Sequence, residues 1–291
     1  SILIGTIACS LLGLMVQWMA FLIVFLIAKV GFSASLIFYD SMLSDITDEE
    51  RMDYVSSQGY AWGYIGSCVP FVLCLVIVLG SDPLGIRMET AMGIAFVLVA
   101  VWWLLMSLPL LKNYEQKYYV EKKPHAIAQS FKRLGETFKN MKEEKQVFMF
   151  LLAFFFYIDG VYTIIDMATA YGSALGLDST GLLLALLVTQ IVAFPCAIIF
   201  GNLSYRIRTE KLIIVCIFAY LGIAIFAVFL KTQLQFWILA ILVGMFQGGI
   251  QALSRSYFTK IIPEEHSGEY FGLMDICGKG ASFVGTTIVS I

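Results

Sequence analysis

The chain has 291 residues, of which 59% are hydrophobic and 14% charged, and its formal net charge is −2. A mean hydropathy of +0.85 lies far above that of soluble domains, in which about half the residues are apolar, so the bilayer is the solvent to reason with. That excludes a hidden soluble domain, and with no basic domain or stacking-aromatic module, no nucleic-acid partner is expected.

Crossing roughly 30 Å of hydrocarbon takes about 20 apolar residues in a helix. Stretches of this kind run over 1–17, 19–42, 58–80, 90–111, 146–170, 179–203, 211–230, 234–256 and 269–291. They lack the strict alternation of barrel strands, and lipid offers no partner to an open sheet edge, so they read as nine helices of an all-α polytopic membrane protein. The six cysteines, Cys9, Cys68, Cys74, Cys196, Cys216 and Cys277, all fall within these spans without ligand spacing. They read as small apolar filler, with neither disulfide nor metal site expected.

The connections after the second, fourth, sixth and eighth spans hold fifteen basic residues, from Arg51 to Lys260, whereas the opposite set has only Arg87 and Lys231. By the positive-inside rule the first set is cytoplasmic, including the loop 112–145. That loop is the longest and most charged connection, and it divides the chain into an N-terminal helical part, 1–111, and a C-terminal helical part, 146–291. Within it Ile127, Phe131, Leu134, Phe138 and Met141 recur at helical spacing among Lys132, Arg133, Lys139 and Lys142. This predicts an amphipathic helix on the cytoplasmic membrane surface, with a solvated tether as the alternative.

An internal repeat supports the division. ITDEERMDY after the second span and IPEEHSGEY after the eighth align Ile46 with Ile262, Asp53 with Glu269 and Tyr54 with Tyr270. Duplicated six-helix halves build one large transporter class. Four spans precede the boundary and five follow it, and the chain opens in an apolar run without an initiator methionine. The expectation is a fragment of a twelve-helix protein.

The segments FYDSML at 38–43, VSSQGYAWGYIG at 55–66, YIDGVYTI at 157–164, GGIQALSRSYFTKIIP at 248–263 and EYFGLMDICGKGASFVG at 269–285 resemble the vacuole effluxer-like branch of the major facilitator superfamily. The resemblance covers nearly the whole chain. It implies a major facilitator fold of two six-helix halves, with the nine spans as helices three to eleven, and from the fungal members it implies amino-acid efflux. It also implies an integral, multi-pass location: the inner cell membrane for a bacterial protein, the vacuolar membrane for a fungal one. The superfamily's cytoplasmic signature, roughly G-x-L-x-D-R, appears as GNLSYRIRTEK at 201–211. Tyr205 replaces the acid, which puts in doubt the usual charge latch at this loop.

Ionisable groups within hydrocarbon cost at least about 2.5 kcal/mol each and need a partner, an aqueous cavity or a function. By the resemblance, the second, fifth and eighth spans line the central cavity, and they carry Lys29, then Asp159 and Asp166, then Gln247 and Gln251. A low dielectric favours the neutral form of a carboxyl group. Asp159 is accordingly a candidate proton carrier, and Lys29 a candidate counter-charge for a substrate carboxylate. The alternatives are a plain interhelical hydrogen bond for Asp159 and snorkelling for Lys29. Asp275 and Lys279 lie four apart with the acid N-terminal, as in a mutually neutralising intrahelical pair. Asp40 and Arg255 are candidates for a gate, or are ordinary interfacial charges. Gly59 with Gly63, then Gly66, and Gly244 with Gly248 and Gly249 read as close-packing faces. Gly160 and Pro195 read as points of local bending.

These features point to a secondary transporter for a small polar solute, acting by alternating access, possible proton coupling included, without cofactor and as a monomer. A channel or receptor is the alternative, and a membrane-embedded enzyme is a more distant one. No HExxH, GxSxG or Walker loop is present, and His125 and His266 both lie in loops.

Overall fold

In the computed structural model, residues 1–83, 85–118, 135 and 144–290 are described. The expected amphipathic helix at 127–141 lies outside them. Among the described residues the regular elements are helices only. They are α1 (Ile2–Leu11), α2 (Trp18–Ser41), α3 (Leu43–Ile46), α4 (Met52–Leu79), α5 (Met88–Asn113), α6 (Lys145–Ala174), α7 (Ser179–Leu203), α8 (Thr209–Val228), α9 (Gln233–Ile261) and α10 (Ser267–Ser290).

Seven of the described helical segments are long and apolar enough to cross a membrane: Trp18–Ile46, Glu49–Leu79, Met88–Asn113, Lys145–Ala174, Ser179–Leu203, Thr209–Val228 and Gln233–Ile261. The first and ninth expected spans fall short of that criterion, each for its own reason. Ile2–Leu14 is apolar but too short, because the helix gives way to a 3₁₀ turn at Leu12–Leu14 and then to extended backbone at Met15. The helix Ser267–Ser290 has the length, but Glu269, Asp275 and Lys279, with many glycines, serines and threonines, dilute its apolar character.

Local chemistry explains several boundaries. α9 begins with a capping box, in which the Thr232 hydroxyl accepts from the Gln235 backbone and the Gln235 side chain accepts from the Thr232 N–H, so two donors that the first turn leaves free are satisfied together. Asp178 caps α7 by accepting from the Gly181 N–H at 2.6 Å. α6 ends with Gly176 at φ +73°. Its N–H bonds the Ser173 carbonyl while that of Leu177 reaches back to Gly172, and this left-handed turn is one that glycine adopts without steric cost. Pro70, Pro109 and Pro195 sit inside continuous helices.

The chain forms two compact units, residues 1–39 with 66–117 and residues 40–65 with 118–291. In the first, α1 packs on α5 with little side-chain bulk between them. Gly5 meets Gly31 and the Trp103 ring, Gly13 meets Gly93, and Phe32 stands edge-on to Trp103 at 5.7 Å. In the second, α7 lies against α9, α10 against α6 and α8 against α9. A core of Leu182, Ala185, Ile223, Leu230, Phe236, Leu239 and Val243 forms there.

The organising element is α9. In its apolar window 61% of the residues are buried, against 11–28% in the other six candidate spans. Small residues make this possible, since a Cβ on Gly244 would meet the Thr189 carbonyl at 2.7 Å, one on Gly248 the Ala197 Cβ at 2.8 Å, and one on Gly249 the Phe200 ring at 2.6 Å. The expected close-packing face on α9 is therefore present. Gly63 and Gly66 differ, for an added Cβ there would meet nothing within 4 Å among the described residues. The remaining helices turn large apolar side chains such as Trp18, Phe218, Val228 and Phe283 outward, as lipid-facing surface requires.

Candidate functional site

Two polar constellations lie in the second unit. The first is built on the last turns of α9. Serine and threonine rarely break a helix whose hydroxyls can return to its own carbonyls, and Ser254 donates to Ile250 O at 2.6 Å and Thr259 to Arg255 O at 2.8 Å. The backbone thus absorbs the polarity, and this stretch packs with almost no exposure.

Arg255 is 4% exposed. Its Nη1 donates to Asp40 Oδ1 at 3.0 Å, Nε to Ser56 Oγ at 2.9 Å and Nη2 to the Ser56 carbonyl at 2.9 Å. The guanidinium lies 4.7 Å from the centre of the Tyr60 ring. The Ser56 hydroxyl in turn donates to the Ala252 carbonyl at 2.7 Å. A planar fork with several fixed donors suits this convergence, and a point-like ammonium does not. The structure thus joins Asp40 to Arg255, the pair singled out for a gate.

Beside it lies a second charged group, which the sequence does not single out as a site. Asp53, 5% exposed, accepts from Ser256 Oγ at 2.6 Å, from Thr209 Oγ1 at 2.6 Å and from Lys260 Nζ at 2.8 Å. The sequence signals for it are the repeat, which aligns Asp53 with Glu269, and the place of Lys260 among the basic residues that mark sidedness. Nearby, the Tyr118 N–H donates to Asp45 Oδ1 at 3.0 Å, and a hydrogen bond to Glu264 holds the Tyr118 phenol above its usual range.

The second constellation lies where α6 packs on α10. Asp159 Oδ1 and Thr163 Oγ1 are one turn apart on α6, and both are buried without a hydrogen-bond partner among the described residues. Both oxygens press on the face of Gly285, where even a methyl group would collide with them. Asp166, two turns along, is exposed and accepts from Ser282 of α10 at 2.8 Å. Asp275 and Lys279 form the expected ion pair within α10.

The other candidates are distributed more widely. Gln251 Oε1 accepts from the Tyr64 hydroxyl at 2.7 Å. Gln247, 7% exposed, lines a cavity of about 60 Å³ together with Thr189 and Gln190 among apolar neighbours. Gln190 Oε1 is buried there without a hydrogen-bond partner among the described residues. Lys29 belongs to α2 in the first unit, with its side chain exposed. Gly160 has open space beside it.

The family described as vacuole effluxer Atg22 like matches residues 1–291. The chain belongs to this family. Among its relatives is the uncharacterized MFS-type transporter YxiO of Bacillus subtilis, 44% identical over 277 residues, covering 94% of this chain and 65% of the relative. Autophagy-related protein 22-1 of Aspergillus fumigatus is 22% identical, covering 81% of this chain and 43% of the relative. Autophagy-related protein 22 of Kluyveromyces lactis is 24% identical, covering 83% and 52% respectively. The chain thus spans about two thirds to under half the length of the Atg22-like relatives it matches. The family and the apolar helices together make it an integral, multi-pass membrane protein.

Proposed function

We propose that this chain belongs to a secondary active transporter that moves a small polar solute, an amino acid by family resemblance, by alternating access. The observation that carries the coupling part of this reading is the Asp159 carboxyl oxygen, buried where α6 packs on α10 without a hydrogen-bond partner among the described residues. Charge within hydrocarbon needs a partner, water or a function, and a conformational change that admits water would alter the surroundings of this oxygen. A carboxyl group with two such environments can load a proton on one side of a membrane and release it on the other.

The Asp40–Arg255 contact supports a gate in the same cycle. α2 and α9 belong, by the resemblance, to opposite halves, and rocking of the halves would separate this pair on the cytoplasmic side. When the pair parts, both groups gain water, so opening does not strand a charge in hydrocarbon.

The test uses the full-length protein in proteoliposomes with radiolabelled amino acids under an imposed pH gradient. Saturable, gradient-driven flux is expected, and Asp159→Asn is expected to remove the dependence on the gradient while the protein remains folded. Linear, non-saturating flux would favour a channel. Gradient-dependent transport unchanged in Asp159→Asn would remove that residue from coupling.

A further inference from the structure

A hydroxyl inside a helix commonly returns its proton to the carbonyl one turn back, and in this chain Thr189, Ser254, Thr259 and Thr286 all do so. Thr163 does not. Its oxygen is buried on α6 without a hydrogen-bond partner among the described residues, and so is Oδ1 of Asp159, one turn before it. A Cβ built on Gly285 of α10 would collide with both oxygens at once, so the two flank a single point and are near neighbours. Two acceptor oxygens thus stand side by side in a helix interface with no hydrogen bond joining them.

We infer that Asp159 and Thr163 form a binding site for a monovalent alkali cation, Na⁺, where α6 meets α10. Hard cations take oxygen ligands, charged and neutral alike. Among the described residues no three His, Cys, Asp or Glu side chains gather as they would around a transition metal, and a carboxylate with a hydroxyl does not select one. The local charge sets the valence. Asp166 accepts from Ser282 at 2.8 Å and Asp275 is paired with Lys279, so among the described residues the charge left to balance at this interface is that of Asp159. A divalent ion would leave an excess positive charge within hydrocarbon, where charge is costly, and a monovalent ion leaves none. The close approach of α10 at Gly285 favours a small ion, sodium over potassium. Asp159 and Thr163 are each half-buried as residues, so water reaches part of each side chain and completes the ion's shell. The site stands apart from transport. Its use in coupling rests on the transporter reading, in which Na⁺ takes the place given above to the proton.

The experiment uses the full-length protein in lipid nanodiscs and measures binding of radioactive sodium by scintillation proximity at fixed pH, with choline chloride holding the ionic strength constant. Saturable binding is expected, displaced by unlabelled NaCl and not by choline chloride. Thr163→Val keeps the shape of the side chain and removes the oxygen, and is expected to weaken binding about tenfold or more. Thr163→Ser is expected to retain it and Asp159→Asn to abolish it. Thr286→Val is expected to leave it unchanged, because that hydroxyl already returns to Ser282. Thermal unfolding in choline chloride checks that each variant is folded, and NaCl is expected to raise the midpoint of the wild type and not that of Asp159→Asn. No saturable binding to the wild type, binding unmoved by Asp159→Asn, or Thr163→Val binding as tightly as Thr286→Val would overturn the site. Saturable sodium binding without saturable amino-acid flux removes the transporter reading and leaves the site. Saturable flux driven by a pH gradient, with no sodium binding, removes the site and leaves the reading.

Discussion

Replacing Arg255 by Lys keeps the charge and removes the fork. Arg255 holds three acceptors at 2.9–3.0 Å, two of them on Ser56 and one on Asp40. A lysine ammonium in this space can satisfy one of them well. Hydrogen bonds to charged groups contribute about 1.5–3 kcal/mol each, and the face of Tyr60 adds about 1 kcal/mol. Asp40 is 27% exposed, so water recovers part of the loss on that side. Arg255→Lys is therefore expected to lower stability by about 2–4 kcal/mol. Arg255→Met, which leaves Asp40 without its cation, is expected to cost about 3–5 kcal/mol. Asp40→Asn should be milder, near 1 kcal/mol, because the guanidinium keeps both Ser56 acceptors. The measurement is reversible unfolding of the full-length protein in mixed micelles with increasing SDS, followed by circular dichroism. The double variant Arg255→Met with Asp40→Asn closes the cycle and isolates the pair. Arg255→Lys within about 0.5 kcal/mol of wild type, below the contribution of a single hydrogen bond, would refute the claim that fork geometry holds this site.

Two further outcomes follow from packing and sidedness. Gly249→Ala places a methyl group 2.6 Å from the Phe200 ring and is expected to destabilise by about 1–3 kcal/mol, whereas Gly63→Ala, with nothing within 4 Å, should be neutral or stabilising by up to about 1 kcal/mol; equal effects in the same unfolding assay would contradict the packing. Single cysteines introduced at Glu115 and Leu175, at opposite ends of a membrane crossing in the proposed topology, are expected to react with an impermeant reagent from opposite sides of sealed vesicles, and labelling from one side would overturn the topology.

Helices and their approximate ends could be read from residues alone, because bilayer thickness sets a length and apolar composition meets it locally. α7 coincides with the expected span 179–203, and α5 and α8 differ from 90–111 and 211–230 by two residues at each end. The reading was weaker where a helix is short or diluted. Ile2–Leu14 ends early at a 3₁₀ turn, and Ser267–Ser290 carries charges that composition alone counts against it. Intrahelical pairs were equally legible, since Asp275 and Lys279 are brought together by helical geometry itself.

What joins distant parts of the chain could not be read that way. Asp40 and Arg255 are 215 residues apart and Asp53 and Lys260 are 207 apart, and no local periodicity encodes which partner a loop charge will meet. Asp53 and Lys260 look like solvated loop composition until α4, α8 and α9 converge. Asp159 could be named from its place in a greasy helix, but that its oxygen faces Gly285 without a hydrogen-bond partner among the described residues is decided only by how α10 lies on α6. Membrane insertion is a sum over single residues against one solvent. The polar sites depend instead on side-chain geometry between helices, which exists only once they have packed.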